Sequence, residues 1–260
     1  MRTLKVAGFA VTILLLALTP MVQPDRAGAQ EPETRRALPF APGEIHEFEV
    51  RFGVIRAGRA KLEVSNGERI RGHETLRFDM NLAGGIPLAR VDNTMSSWVQ
   101  PRPFRSLRFV QDLYEVGTER YREFNIYPDS GFVRWEHGEG GEEALPSDMP
   151  LDDVSFLFFA RTLPLEVGDR YELPHYFRDS GNPVILEVLR KDEVRVPAGT
   201  YKTVVVRPTF QTSGLFGEGG EAEVHFSDDR SRILVKISSR VSRVGSLTLN
   251  LARDPRIPAN

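Results

Sequence analysis

EIHEFEVRFGVIRAGRAKLEVSNG, residues 44–67, carries its apolar side chains at every second position along two runs. Phe48, Val50 and Phe52 alternate with Glu47, Glu49 and Arg51, and Ala60, Leu62 and Val64 alternate with Arg59, Lys61 and Glu63. A two-residue period puts one set on each face of a pleated strand, whereas a helix would scatter both sets around its circumference. Strands therefore begin at Glu44. Asn66-Gly67 then supplies residues that accept the positive φ of a tight hairpin turn.

The alternation continues. In TLRFDMNL (75–82), Leu76, Phe78, Met80 and Leu82 oppose Arg77, Asp79 and Asn81. Further strands are predicted around 89–99, 104–115, 119–127, 131–137, 169–178, 184–195, 201–210, 221–227, 232–241 and 243–252. The last of these sets Leu247, Leu249 and Leu251 against Ser246, Thr248 and Asn250. Pro197 and Gly199 mark a turn between two strands, and the segment 138–150 reads as a loop. The total is about thirteen strands joined by short turns, which makes them mostly antiparallel. One apolar face per strand must be buried, so the fold class is all-β: a curved sheet forming an open or partly closed β-barrel-like domain.

One segment breaks the pattern. In DDVSFLFFAR (152–161), Phe156 to Ala160 run together without a polar residue. Asp152 or Asp153 suits a helix N-cap, Arg161 suits the C-terminal end, and Pro164 stops the run. An element apolar nearly all round is normally buried, so a short helix near 152–162 is expected inside the curved sheet, a buried strand being the alternative.

The N-terminus predicts export. Met1 to Lys5 is basic, residues 6–18 are apolar, and Ala27-Gly28-Ala29 offers small residues for cleavage, with Gln30 as the mature start. The apolar run is short for the ~20 residues that span a bilayer, which weighs against an uncleaved anchor. The chain has no cysteine, which excludes a disulfide and a lipoprotein anchor. Losing residues 1–29 takes the net charge from −2 to −4, so neither nucleic acid nor anionic lipid is strongly attracted. The expected organisation is a signal peptide (1–29), a flexible leader (30–42), one β-rich domain (43–252) and a C-terminal tail (253–260), with a periplasmic location.

Four blocks carry a family resemblance: GEIHEFEVRFGVIRAGRAKLEV (43–64), DDVSFLFFARTLPLEVGDRYEL (152–173), VRVPAGTYKTVVVRP (194–208) and FSDDRSRILVKI (226–237). Together they resemble the bacterial domain of unknown function 3108 family over residues 43–252. Phe226 keeps the aromatic that precedes the family's SDD block, while Ile233-Leu234 stands where proline is common. The resemblance implies an exported envelope protein. It also implies the open β-barrel of periplasmic lipoprotein and lipid carriers, with a helix across the mouth. It carries over no catalytic residue, cofactor or ligand.

Catalytic and metal-binding patterns are missing from the sequence. His46, His73, His137, His175 and His225 form no HExxH or HxH arrangement. Ser130 and Ser180 both sit in Asp-Ser-Gly, which reads as a turn and lacks the nucleophile elbow. Asp152-Asp153 and Asp228-Asp229 are paired carboxylates, read as a helix cap and a turn balanced by Arg230 and Arg232. In QTSGLFGEGG (211–220), Leu215 and Phe216 lie between glycines as an apolar lip that meets lipid or a partner, or tucks onto the sheet edge.

The leading reading is a non-enzymatic binder of an apolar or amphipathic molecule, such as a lipid or lipoprotein acyl chain. Phe156, Phe158 and Phe159 would line its cavity, with Leu215 and Phe216 at the lip, and no cofactor or metal is called for. If the helix fills the concavity, the reading of a carrier with a cavity between helix and sheet fails, because a cavity below ~300 Å³ would not take an acyl chain of useful length. The rival readings are an interaction module for envelope assembly, working through strand edges or the Leu215-Phe216 loop, and a hydrolase using Asp228 or Asp229.

Overall fold

The computed structural model describes residues 37–86, 89–211, 221–241 and 245–258; the expected signal peptide, Leu215 and Phe216 lie outside the described residues. The first strands are β1 (Ile45–Phe52), β2 (Ile55–Asn66), β3 (Leu76–Ile86), β4 (Ala89–Pro101), β5 (Phe104–Glu115), β6 (Thr118–Tyr127), β7 (Phe132–Trp135) and β8 (Gly141–Ala144). After the helix α1 (Asp153–Ala160) come β9 (Arg170–Leu173), β10 (Val184–Val196), β11 (Gly199–Thr209), β12 (Glu221–Ser227), β13 (Leu234–Val241) and β14 (Gly245–Leu251).

These strands form one fourteen-stranded antiparallel sheet in the order β8-β7-β6-β5-β4-β3-β2-β1-β14-β13-β12-β11-β10-β9. The chain starts mid-sheet and meanders out to β8. It crosses through α1 to the far edge at β9, then meanders back until β14 pairs with β1. The sheet does not close, because β8 and β9 have one neighbour each. Side chains alternate as the sequence requires: Phe48, Val50, Leu62, Val64, Phe78, Phe109, Phe124, Ile237, Leu249 and Leu251 are all buried.

Helix α1 lies against this apolar face. Its Phe158 stacks on Phe78 of β3 with ring centres 4.1 Å apart, while its Phe156 meets Phe210, just past β11, at 5.3 Å. β3 and β11 stand far apart in the sheet order, so the sheet must curl around the helix to touch it from both sides. Asp152 is the N-cap: its carboxylate accepts from the backbone N–H groups of Val154 and Ser155 at 3.0 and 2.9 Å, while its own N–H donates to Ser155 Oγ. Three otherwise orphaned donors are thus satisfied inside the core.

Three sequence readings need correction, those of the leader, the first hairpin turn and the 138–150 loop. The described part of the expected leader, residues 37–42, packs on the domain, with Phe40 buried edge-on to Phe78 and Phe158. The tail is docked, with Arg256 and Ile45 exchanging backbone hydrogen bonds and Arg253 ion-paired to Glu47. Asn66-Gly67 is not the hairpin turn. The ladder continues through Gly67 to Thr75, and the turn falls at Arg71-Gly72 (φ 47° and 86°), which lets Ile70 reach the core. Finally, residues 141–144 form β8 inside the expected 138–150 loop, paired through its backbone to β7.

Candidate functional site

The helix is tied down at both ends by buried polar groups. At its N-terminal end Asp152 is fully buried and accepts a hydrogen bond from Ser97 of β4, while Ser106 of β5 donates to Ser155 at 3.0 Å. Asp153 accepts from Tyr176 Oη at 3.2 Å and, weakly, from Gln111 Nε2 at 3.4 Å. At the C-terminal end Arg161 is buried and donates to Glu44 at 2.6 Å, to the Ser231 carbonyl at 2.9 Å and to the Pro39 carbonyl at 3.1 Å. His46 bonds the same Glu44 oxygen at 2.7 Å. Burial pushes the Glu44 carboxyl up, but the His46 hydrogen bond and the Arg161 guanidinium outweigh it and hold the group below the usual carboxylate range.

Two small cavities flank α1. One, of about 10 Å³, is lined by Glu44, His46, Arg161, Leu157 and neighbouring apolar residues. Glu44 Oε2, His46 Nδ1 and Arg161 Nε make no hydrogen bond within the protein. The other, of about 20 Å³, lies between Asp153, Phe156, Leu157 and Ala160 of the helix and the inner faces of β10, β11 and β12. Each is the size of a water molecule and far short of ~300 Å³. The cavity expected between helix and sheet, lined by Phe156, Phe158 and Phe159, is therefore absent: the helix fills that space, and a preformed acyl-chain pocket there is ruled out. Phe156 and Phe158 are core residues, and Phe159 is half-buried beside Phe104 and His175.

The second cavity has one unusual member. Leu186, Val206, Pro208, Phe210, Val224 and Phe226 surround it, and Asp153 is its one charged residue. Burial, with the Asp152 charge added, pushes Asp153 up to about 6, and burial next to Asp153 raises the Tyr176 hydroxyl as well. The native state thus holds the Asp153 proton more tightly than the unfolded chain does. Its contribution is fully present below about pH 4 and is lost as pH rises through 6. Asp153→Asn should therefore raise stability at pH 7.5 by about 2 kcal/mol, or roughly 5 °C in Tm, and leave it unchanged near pH 4. Thermal melts at the two pH values check this.

The other carboxylate pair is a turn. Asp229 accepts from Ser227 Oγ and from the backbone N–H groups of Ser231 and Arg232, and Asp228 pairs with Lys191 and Arg232.

The sheet register defines the mouth above the helix. Thr118, Glu115, Val91, Gly84, Gly58, Val50, Leu249, Ile237, Val224 and Val206 stand side by side in one row from β6 to β11. The β1–β2, β3–β4, β5–β6, β11–β12 and β13–β14 connections all begin beyond this row, on the same side. Gly58 and Gly84 face each other where a Cβ on either would lie within 2.3 Å of a backbone oxygen. Around them Phe52, Leu82, Val91, Met95, Leu113 and Leu247 point inward and are only half-buried. The sequence marked the helix aromatics. It missed Glu44, His46 and Asn93, which share the inward phase of their apolar neighbours and could have been found by that phase alone.

Comparison with known proteins agrees with this architecture. The model of a family described as DUF3108, protein of unknown function, matches residues 47–252. A solved β-barrel-like protein of the domain of unknown function DUF1849 from Brucella abortus has a TM-score of 0.52 at 11% identity, covering 86% of this chain and 100% of its own. A protein taken to be exported, with a YmcC-like fold, from Bacteroides fragilis has a TM-score of 0.31 at 10% identity, covering 84% of this chain and 98% of its own. One taken to be a lipoprotein, from Parabacteroides distasonis, has 0.30 at 8%, with the same coverage. No curated protein matches the sequence. The first likeness is one of fold alone.

Proposed function

The chain belongs to the DUF3108 family, whose function is unknown, and on that premise we propose that it is an exported periplasmic protein that binds an apolar or amphipathic molecule without transforming it. The molecule is of the lipid or acyl-chain class, and its site is the seam between α1 and strands β10 to β12. The observation that carries this reading is Asp153, a carboxyl with no cationic partner in its hydrogen-bond shell, set into an otherwise apolar seam. Such a group lowers the stability of the empty protein, and it offers a polar end to an amphipathic guest.

The seam is closed around about 20 Å³, so uptake requires α1 to shift away from β10–β12. Export is supported by the basic start and apolar run of residues 1–18. Among the described residues no helix is long and apolar enough to cross a membrane. Strand addition at the sheet edges is a poorer fit. β8 and β9 are four residues long each, and Arg134–Glu142 and Arg170–Glu172 ion pairs guard them.

Mass spectrometry of gently purified protein, native and then denatured, tests the proposal. The expected result is a mass excess that disappears on denaturation and yields an extractable lipid. Protein that is empty, and that takes up neither an offered fatty acid nor a lysophospholipid, overturns it.

A further inference from the structure

Among the described residues six buried side-chain nitrogens and oxygens make no hydrogen bond within the protein. Three of the six, Glu44 Oε2, His46 Nδ1 and Arg161 Nε, belong to residues that line one cavity of about 10 Å³ beside the C-terminal end of α1. These residues are 1%, 2% and 4% exposed, so bulk solvent does not serve them. A buried polar group left unpaired forfeits the hydrogen bond that it makes with water in the unfolded chain. Three such groups around one void therefore point to a shared partner.

The bonds already made fix what each atom offers. Glu44 Oε1 accepts from Arg161 Nη1 at 2.6 Å and lies 2.7 Å from His46 Nε2. A carboxylate only accepts, so the His46 proton is on Nε2 and, in the neutral ring, Nδ1 is an acceptor. The cavity thus presents two acceptors, Glu44 Oε2 and His46 Nδ1, and one donor, the Arg161 Nε–H. Leu62, Val64, Leu157, Phe158, Phe226 and Leu234 make up the rest of its wall. A cation in it would sit against the Arg161 guanidinium, and an anion against the Glu44 carboxylate. A neutral molecule that both donates and accepts meets all three atoms.

We propose that this cavity is a binding site for one internal water molecule, which donates to Glu44 Oε2 and His46 Nδ1 and accepts from Arg161 Nε–H. Three hydrogen bonds are the usual complement of a buried water, and the volume is that of one such molecule. The water completes the joint between the start of β1 and the end of α1.

The seam cavity on the other side of the helix supplies the contrast. At about 20 Å³ it is the larger of the two, yet none of the described residues lining it has an unpartnered side-chain nitrogen or oxygen. Its one charged residue, Asp153, is already bonded to Tyr176 and Gln111. A water there lacks the two to four polar partners that hold one in place, so the seam is dry. Polar partners, rather than size, decide which cavity is wet. The assignment is independent of whether the seam takes a guest.

A high-resolution crystal structure of the full chain, with water-to-protein cross-relaxation measured in solution, tests this. The expected density is a single peak about 2.7–3.2 Å from all three atoms, with none in the seam beside Asp153. In solution the Arg161 Nε–H resonance, assigned by its loss in Arg161→Lys, should show NOE and ROE peaks to water of opposite sign. That pattern marks contact with a long-resident water, whereas proton exchange gives peaks of one sign. An empty cavity, direct bonds among the three atoms, an ion in their midst, a water in the seam as well, or exchange peaks alone would each overturn the proposal.

Discussion

Arg161→Met is expected to destabilise the protein by about 3–5 kcal/mol, a fall of roughly 10 °C in Tm, because it leaves the Glu44 carboxylate buried without its cation. Glu44 is 1% exposed and keeps only His46 as a side-chain partner in that variant. The Ser231 and Pro39 carbonyls lose their donor at the same time. The loss should depend on pH in a defined direction. In the wild type Glu44 sits below its ordinary value of 4.5, so its contribution is present above that pH and disappears on acidification through the depressed value. In Arg161→Met, burial acts unopposed by the guanidinium, so the deficit should be largest near neutrality and shrink near pH 4. Glu44→Met combined with Arg161→Met should lose less than Arg161→Met alone, since no charge is then stranded. Denaturant melts of both variants at two pH values decide it.

That ion pair also shows where sequence reading stops. Glu44 and His46 fall in the inward phase set by Phe48, Val50 and Phe52, so the alternation itself points both into the core. What the alternation cannot supply is the partner that makes such burial tolerable, which lies 117 residues away at the end of α1. The strands were legible because each needs only its own two-residue period. The helix was legible because its cap and its apolar run are local. Strand β8 was not, since GEEA has no apolar alternation and is held by backbone pairing to β7. The hairpin turn falls five residues beyond Asn66-Gly67 for a similar reason: Asn66-Gly67 has the right local chemistry, but the β2–β3 ladder runs past it to bury Ile70. Within the site, the aromatic character of α1 could be read directly. That it fills the concavity could not, because the room left over depends on how tightly fourteen strands curl.

Phe158→Ala measures that tightness. The ring stacks on Phe78 at 4.1 Å and 14°, meets Phe40 edge-on at 5.3 Å, and lies under the Arg161 guanidinium. Removing it forfeits the transfer free energy of the ring and leaves a void between rigid neighbours, so the expected loss is about 3–5 kcal/mol, or roughly 10 °C in Tm. Two outcomes then separate a rigid plug from a movable one. If α1 is fixed by its polar ties at Asp152 and Arg161, the void persists as a dry apolar pocket walled by Phe40, Phe78 and Phe104, and benzene or indole should recover part of the lost Tm. If α1 can slide, the helix settles into the void, aromatic probes give no recovery, and the seam on its β10–β12 side widens. Uptake of a fluorescent fatty acid should then rise in Phe158→Ala above the wild-type level. The proposed function requires the second behaviour, because a seam of about 20 Å³ admits an acyl chain only when the helix moves away from Leu186, Val206 and Phe226.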